Sequence, residues 1–299
     1  MTGAPRLGVI IPNSGPLPRR LGLAAMGRTA EAAGAESLWV SDHLLMVDRP
    51  VDDYPYSPDG AITWDAGEDY YEALTCCTLL AAATERCRIG TAVLVLPQRN
   101  PLQVAKEAAT IDRVSGGRLE LGVGAGWSEA EMTALGYSFR DRGIRLEESM
   151  AILRDCWTGR TSAFAGRTSE VPEGLLMRPR PVRDQGIPLL VGGHSAAAVR
   201  RAATLADGWL GIGFAEAWDE EGLTRALAAF RSRWAGAGRP GRGRALLKLH
   251  CARDFAHLPG RVSWAAEAGF DEVIVELPWA EGLPAASAVC ARLASASGR

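Results

Sequence analysis

The sequence feature that most restricts the fold is a repeated alternation of short apolar segments with longer segments of helical period. Short β-rich runs bounded by turn residues predict strands, and apolar residues that recur every three or four positions predict amphipathic helices between them. Eight such units follow one another along the 299 residues. The predicted strands cover residues 7–12, 37–42, 89–96, 119–124, 187–191, 208–212, 246–251 and 272–277.

The helical segments carry stripes of apolar residues on one face. The clearest stripes are Leu146, Met150, Leu153 and Trp157, and Leu223, Leu227, Phe230 and Trp234. Steps of three and four residues place such side chains on the same side of a helix, where they can cover a sheet. Glycine after a helix and asparagine, serine or proline before one mark its ends. These end signals are Gly34, Gly116, Asn100, Pro101 and Ser128.

Eight strand–helix units in a chain of this length favour a single (β/α)₈ barrel that forms one domain over residues 1–299, with an open doubly wound sheet as the alternative. Two segments exceed what a minimal barrel needs. They are residues 46–69, after the second strand, and residues 159–185, before the fifth. Because long loops often cover binding sites, we expect both insertions to lie over the functional site.

Composition restricts the class of protein. Hydrophobic residues make up 47% and charged residues 23% of the chain, as in soluble globular proteins. A net charge of −2 offers no counterion-release term for a nucleic-acid partner. No apolar stretch is long enough for a membrane helix, and the first residues do not read as a secretory leader. The six cysteines form no C-x-x-C pair, which favours reduced thiols and a cytoplasmic location.

In a barrel of this type the loops after the strands carry the site. Ser41-Asp42-His43 follows the second predicted strand. Histidine titrates near neutral pH, so His43 is a candidate acid or base, with Asp42 beside it. The alternative is a histidine that only holds a loop by hydrogen bonds.

Two glycine-rich turns follow the fourth and fifth strands. The run 122–127 (GVGAGW) lets a flat ligand approach the backbone, with Trp127 as a wall; alternatively, its small residues fill a narrow barrel mouth. The run 192–195 (GGHS) precedes a helix whose exposed N–H groups can bind phosphate; alternatively, it is a tight turn capped by Ser195. The first run is a poor dinucleotide fingerprint, because its third glycine is misplaced.

Other chemistries lack their motifs. The chain contains no G-K-[ST] phosphate loop, no H-E-x-x-H metal motif and no G-x-S-x-G nucleophile turn. Its four histidines are far apart in sequence, so no metal site is predicted. By elimination we expect an organic, flat and phosphate-bearing cofactor.

Taken together, the motifs resemble the bacterial luciferase-like monooxygenase superfamily, and in particular its actinobacterial branch of coenzyme F420-dependent oxidoreductases. The resemblance covers roughly residues 5–215. The segments that carry it are 39–43 (WVSDH), 89–97 (IGTAVLVLP), 100–107 (NPLQVAKE), 112–118 (DRVSGGR), 121–127 (LGVGAGW), 142–147 (RGIRLE), 192–195 (GGHS) and 207–209 (DGW).

This resemblance implies a (β/α)₈ barrel that binds F420 or reduced FMN at the carboxyl end of its strands. It implies a cis peptide bond between Ala92 and Val93 behind the ring, a cofactor contact at Asp42 and a catalytic acid or base at His43. The implied cofactor-binding residues are Thr91, Ala92, Val93, Gly124, Ala125, Gly126, Trp127, Gly192, Gly193, His194 and Ser195.

The favoured function is hydride transfer between F420 and a small organic substrate. One alternative is a monooxygenase that takes reduced FMN from a separate reductase and uses residues 46–69 as a lid; another is a barrel that only binds a flavin. Trp127 stands where the sugar-phosphate dehydrogenases of the family have glutamate, which argues against oxidation of glucose 6-phosphate. The resemblance also implies a homodimer.

A set of arginines near the phosphate-binding turn in sequence is expected either to meet an anionic cofactor tail or to remain in solvent. These are Arg160, Arg167, Arg178, Arg180 and Arg183.

Overall fold

The computed structural model describes residues 5–48, 54, 65–215, 217–251 and 255–296. Its main feature is a closed barrel of eight parallel strands. The strands are β1 (Arg6–Ile10), β2 (Ser37–Val40), β3 (Arg88–Val95), β4 (Leu119–Gly124), β5 (Leu189–Gly192), β6 (Gly208–Phe214), β7 (Arg244–His250) and β8 (Glu272–Val275).

Helices fill the connections between the strands. In chain order they are α1 (Leu17–Leu21), α2 (Leu23–Ala32), α3 (Ala73–Ala83), α4 (Pro101–Ser115), α5 (Glu129–Ala134), α6 (Arg142–Trp157), α7 (Ala196–Leu205), α8 (Glu220–Gly236), α9 (Leu258–Ala268) and α10 (Leu283–Ala296). Among the helices that the structure describes, none is both long and apolar enough to cross a membrane.

The predicted (β/α)₈ barrel is confirmed. Each strand pairs in parallel with its sequence neighbour, and β8 pairs with β1 through Gly8 and Ile274 to close the barrel. Every predicted strand overlaps an observed one, and β4 has the predicted limits. The open doubly wound sheet is therefore excluded.

The helix ends follow the local chemistry of the sequence. Asn100 precedes α4, and its side chain accepts hydrogen bonds from the backbone N–H groups of Leu102 and Gln103. Gly116 ends the helix with a φ of 72°, a left-handed conformation that glycine adopts without strain. The predicted start and end of α4 are thus confirmed.

Helix α3 lacks the apolar periodicity that identifies the other long helices. Its sequence, ALTCCTLLAAA, is apolar on nearly all sides. Leu74, Cys76, Cys77 and Leu80 are buried between α2, α4 and the barrel. Its exposed face carries Thr75, Thr78, Leu79 and Ala82 and no charged residue, so the contrast between a buried and a polar stripe is weak.

The amino end of the barrel is closed by an interior ion-pair network. Arg88 lies 3.0 Å from Glu120 and 2.7 Å from Glu272, and Arg244 lies 3.0 Å from Glu120 and 3.2 Å from Glu272. Above it, a layer of apolar side chains fills the barrel. This layer comprises Ile10, Trp39, Ala92, Leu190, Leu210, Leu246 and Ile274. Inside the barrel, the described residues therefore leave room for a ligand only near the carboxyl ends of the strands.

The insertion at residues 159–185 does not cover that end, so this expectation was wrong. It joins the end of α6 to β5, so its two ends lie where the strands begin, while its middle runs back along α6. It contains a short hairpin, Phe164–Ala165 paired with Glu170–Val171, whose turn residue Thr168 donates its backbone N–H to Glu148 at 3.0 Å. Most of the other insertion, 46–69, lies outside the described residues.

Candidate functional site

Two adjoining cavities lie at the carboxyl ends of the barrel strands. The inner cavity, of about 250 Å³, is surrounded by the ends of most of the strands, and the outer one, of about 970 Å³, lies between β4–β6 and the helices α6 and α7. They form one elongated site because they share wall residues. The shared residues are Ala125, Gly126, Trp127, Gly192, Gly193 and Ile212.

The end of β3 forms part of the inner wall. The peptide bond between Ala92 and Val93 is cis, as the resemblance implied. The Val93 side chain lies against two glycines: a Cβ atom at Gly124 or at Gly192 would be 2.6 Å from a Val93 methyl carbon. Only residues without a side chain allow this close approach, so the glycines leave a smooth wall at the base of the site.

Asp42 anchors that same strand end. It is buried, with one carboxylate oxygen 2.6 Å from an Arg99 Nη2 donor and the other accepting the Val95 backbone N–H at 2.9 Å. Burial raises the pKa of Asp42, while Arg99 and the Val95 N–H oppose the rise. Both oxygens are thus engaged in holding the chain next to Ala92 and Val93.

His43 forms a hydrogen-bonded pair with Glu131. Its Nδ1 lies 2.8 Å from Oε2 of Glu131, while Oε1 of Glu131 accepts the Leu44 N–H at 2.7 Å and the Gln98 amide at 3.1 Å. Burial raises the pKa of Glu131, but the hydrogen bonds from His43 and the backbone outweigh it, so that the pKa is lowered. In the neutral form of an imidazole so placed, an ionised Glu131 favours the ring proton on Nδ1, which makes Nε2 the basic nitrogen.

Sequence reasoning missed Glu131, although a signal was present. Ser128 and Glu131 have the S-x-x-E spacing of a capping box, and the Ser128 hydroxyl does accept the Glu131 N–H at 3.2 Å. In a capping box the glutamate turns back to the helix start. Here its carboxylate bonds to His43 instead, 88 residues away.

Aromatic rings enclose His43 on two sides. The rings of Tyr70 and Trp127 each lie 5.6 Å from the imidazole in edge-to-face geometry, and Tyr54 packs on Trp127 at 5.4 Å. Burial raises the pKa of Tyr70 above its ordinary value, and the charge of Asp42 acts in the same direction. The phenol therefore stays neutral, and the wall around the imidazole is largely apolar.

A second polar group lines the inner cavity from β7 and the segment after β8. Nδ1 of His250 lies 2.8 Å from Oε1 of Glu276, whose other oxygen accepts the Cys251 N–H at 3.0 Å. Two residues earlier on the same strand, Nζ of Lys248 lies 3.4 Å from the Ala92 carbonyl oxygen. Because side chains alternate along a strand, positions 248 and 250 lie on one face of β7, and this could have been predicted from the sequence.

The outer cavity adjoins the start of α7. Gly193 has a φ of 117°, and the Ser195 hydroxyl caps the helix by accepting the Ala198 N–H at 3.1 Å. Nε2 of His194 accepts the Ile212 N–H at 2.8 Å, consistent with a neutral ring, since burial lowers the pKa of His194 against the charge of Asp219. The turn is thus both capped and open to the cavity.

Three arginines line this outer cavity: Arg140, Arg142 and Arg201. Nε of Arg201 binds Glu147 at 2.8 Å, and Arg142 stacks on the ring of Phe139 at 3.8 Å. Asp219 is the one acid among the described residues that line the cavity. Together with the start of α7, this surface favours an anion.

The five arginines of the insertion are not part of this surface. Arg183 donates to the Gly117 carbonyl at 2.7 Å, and Arg178 to the Gly159 carbonyl at 2.8 Å, while Arg167 pairs with Asp141 at 3.4 Å. The expectation that they meet an anionic tail was therefore wrong. Residues near the turn in sequence lie elsewhere because the insertion packs along α6, from Asp141 to Gly159, and lines neither cavity.

The structure brings together nearly all of the predicted site residues. His43 and Asp42 line the inner cavity, as do Ala92, Val93 and Gly124. Thr91 lines neither cavity: it is buried, and its hydroxyl donates to the Gly122 carbonyl at 2.8 Å. The other predicted residues line the shared wall or the outer cavity, namely Ala125, Gly126, Trp127, Gly192, Gly193, His194 and Ser195.

Comparison with known proteins finds relatives in actinobacteria. An uncharacterized protein of Mycobacterium tuberculosis is 39% identical over 186 residues, which are 62% of this chain and 63% of the relative, just under two thirds of its length. An F420-dependent glucose-6-phosphate dehydrogenase of Amycolatopsis mediterranei is 31% identical over 60% of this chain and 50% of its own.

The fold is also found among solved structures. An F420-dependent secondary alcohol dehydrogenase, solved with an F420–acetone adduct, superposes with a TM-score of 0.76 at 17% identity, over 97% of this chain and 99% of that one. A family profile described as luciferase-like monooxygenase matches residues 15–254. Because this match covers most of the 299 residues, the chain belongs to the luciferase-like monooxygenase family.

Proposed function

We propose that this protein is an oxidoreductase that moves a hydride between coenzyme F420 and a small organic substrate. The observation that carries the proposal is the two-part site, in which the His43–Glu131 pair adjoins a cavity lined by three arginines and the start of α7. The F420-dependent relative and the F420-dependent structural neighbour support the choice of cofactor.

The residues present fit such a cofactor in two places. The inner cavity offers a smooth wall at Val93 and Gly192 for a flat ring. The outer cavity offers Arg142, Arg201 and the N–H groups that follow Ser195 for an anionic tail. Bound there, the deazaflavin ring supplies a carbon that accepts or donates a hydride.

His43 handles the proton that accompanies the hydride. When a substrate alcohol is oxidised, its C–H bond gives up a hydride and its O–H bond gives up a proton to Nε2, leaving a carbonyl; reduction runs in reverse. Glu131 stabilises the imidazolium formed in this step, because its Oε2 lies 2.8 Å from Nδ1. The aromatic rings of Tyr70 and Trp127 limit water near the imidazole.

The second candidate is a monooxygenase that uses reduced FMN from a separate reductase. The description of the matching family, luciferase-like monooxygenase, favours it. In that reaction O₂ is the oxidant, and the apolar ring wall around His43 serves to exclude water. Oxygen consumption that depends on a flavin reductase distinguishes it from F420-dependent hydride transfer.

The test is a fluorescence titration of purified protein with oxidised and reduced forms of both F420 and FMN. Selective F420 binding supports the proposal, and tight binding of reduced FMN alone supports the monooxygenase. Binding of neither contradicts both.

A variant with a matched control tests whether the anionic tail of the cofactor binds in the outer cavity. Arg201→Met should weaken F420 binding about tenfold or more, since it removes a charge-assisted contact. Arg225→Met, on the exposed side of α8, should leave binding unchanged. Equal effects of the two variants would contradict a tail site in the outer cavity.

A further inference from the structure

Lys248 is an amine inside the barrel, and one of only two lysines in the chain. Its hydrogen bond is a long one of 3.4 Å to the neutral carbonyl of Ala92. An ammonium group has three N–H donors, and burial of a charge is costly unless the charge is paired and its donors are satisfied. Burial accordingly lowers the pKa of Lys248, with the charge of Glu276 opposing.

The described acidic groups that line the inner cavity, Asp42 and Glu276, and Glu131 behind His43 are bound to other partners. Asp42 is paired with Arg99 at 2.6 Å, and Glu131 bonds to His43 at 2.8 Å. Glu276 bonds to His250 and to a backbone N–H. Within the described part of the chain, no carboxylate lies within 4.0 Å of Lys248.

His250 faces the same space as Lys248. Both line the inner cavity and lie two residues apart on β7, hence on one face of the strand. Glu276 engages Nδ1 of His250, so Nε2 is the ring nitrogen available to a ligand. The two side chains together present an ammonium and an imidazole to the cavity.

We propose that Lys248 forms a subsite for a negatively charged oxygen, and that this oxygen is the carboxylate of the substrate. His250 lies beside this subsite, where Nε2 of a ring that carries its proton on Nδ1 accepts a hydrogen bond from the ligand. The subsite lies three strands round the barrel from His43, whose strand is β2. The assignment to a substrate rests on the proposed function and makes that substrate a small organic acid that also carries the oxidisable group. A carbonyl oxygen of a flavin-type ring could accept hydrogen bonds at the same subsite. Titration with benzoate, benzamide and the cofactors distinguishes the substrate carboxylate from this ring oxygen.

The two lysines make a direct experiment possible. Protein made with [¹³C]lysine should give two lysine side-chain signals, which the Lys106→Met variant assigns, because Lys106 lies outside the cavities on α4. The full chain is titrated with benzoate, with neutral benzamide, and separately with F420 and FMN. Lys106 is the internal control in every titration.

A shift of the Lys248 signal with benzoate but not with benzamide, while the Lys106 signal stays in place, supports the proposal. Lys248→Met should then weaken benzoate binding about tenfold to a hundredfold, with Lys106→Met unchanged. If the cofactor alone moves the Lys248 signal, and Lys248→Met weakens only cofactor binding, the oxygen belongs to the ring and the substrate assignment is overturned.

An unmoved Lys248 signal with every ligand overturns the subsite and leaves Lys248 as a support for the Ala92 carbonyl. The absence of a shift is measured on the protein without any substitution at Lys248, so this conclusion holds even if Lys248→Met folds poorly. Benzoate binding in a protein that binds neither cofactor supports the subsite while contradicting the proposed function. The two proposals therefore fail separately.

Discussion

Replacing Glu131 with glutamine tests how His43 is held, because it keeps the shape of the side chain and removes its charge. In the protein Oε1 accepts hydrogen bonds from Leu44 and Gln98, which a glutamine oxygen can retain. The amide NH₂ group then takes the place of Oε2 opposite Nδ1 of His43. Since an NH₂ group only donates, Nδ1 must become the acceptor, and the ring proton moves to Nε2.

The size of the effect follows from two losses. A hydrogen bond between charged partners contributes about 1.5–3 kcal/mol, so the imidazolium loses stabilisation worth roughly 10- to 150-fold in rate. The wrong tautomer removes the basic Nε2 as well. We therefore expect kcat to fall about 10²- to 10⁴-fold, the range that general acid–base catalysis usually supplies, with cofactor affinity changed little.

The assay needs no substrate at first. Long-range ¹H–¹⁵N spectra of the four histidines report which ring nitrogen carries the proton, and the signal absent from His43→Asn identifies His43. Glu131→Gln should reverse the tautomer, whereas Glu129→Gln, an exposed position in the same helical turn, should not. An unchanged His43 tautomer in Glu131→Gln would refute the role assigned to Glu131.

The same substitution has a pH signature in stability. Because the folded protein lowers the pKa of Glu131 below its ordinary value of 4.5, its charge stabilises the fold above the unfolded pKa. That contribution is lost as the pH falls through the lowered folded value. The difference in unfolding free energy between the wild type and Glu131→Gln should therefore shrink on acidification below about 4.5, as measured by urea unfolding.

Three further predictions concern the base and walls of the site. Gly192→Ala should lower the unfolding free energy by about 1–3 kcal/mol in urea titrations, because the added methyl would lie 2.6 Å from a valine methyl, while Gly236→Ala, with no atom in that range, should not. Asp42→Asn should cost about 1–3 kcal/mol in the same assay, because it removes one of the two carboxylates, Asp42 and Glu72, that pair with Arg99; an unchanged unfolding free energy would contradict the anchoring role. His43→Ala should reduce turnover far more than cofactor affinity in parallel kinetic and binding measurements, and equal losses would contradict a role in proton transfer.

Much of the fold could be predicted because its signals are local. Strand β4 has the predicted limits, since its apolar run begins shortly after Gly116 and Gly117 and ends at Gly122 and Gly124. The stripe on α6, from Leu146 to Trp157, is buried as its period required. Helix α3 was not predicted because its exposed face carries threonine, leucine and alanine and no charged residue, so no local pattern distinguishes it from other apolar sequence.

The site was predictable only where one segment supplied the chemistry. His43 and the turn at Gly192 each carry their own signal. Glu131 does not, because its role is defined by a contact across 88 residues, whereas its local spacing indicates only a helix cap. The arginines show the same limit: Arg201 lies at the outer cavity because α7 carries it there, whereas Arg183, nearer to the turn in sequence, bonds at Gly117.

The contacts of the site explain why its chemistry depends on the closed barrel. His43 follows β2 and is held by a carboxylate from the segment after β4, and Asp42, also after β2, holds the end of β3. On the other side, the imidazole of His250 on β7 is held by Glu276, which follows β8. Each imidazole is thus oriented by a carboxylate from a different strand–helix unit, so neither pair can form before the strands meet.

The ion-pair network at the amino end fixes β3, β4, β7 and β8 relative to one another, and each of these strands, or the residue that follows it, also contributes to the inner cavity. Loosening that network should therefore disturb both imidazole pairs together, although none of its side chains lines the cavity.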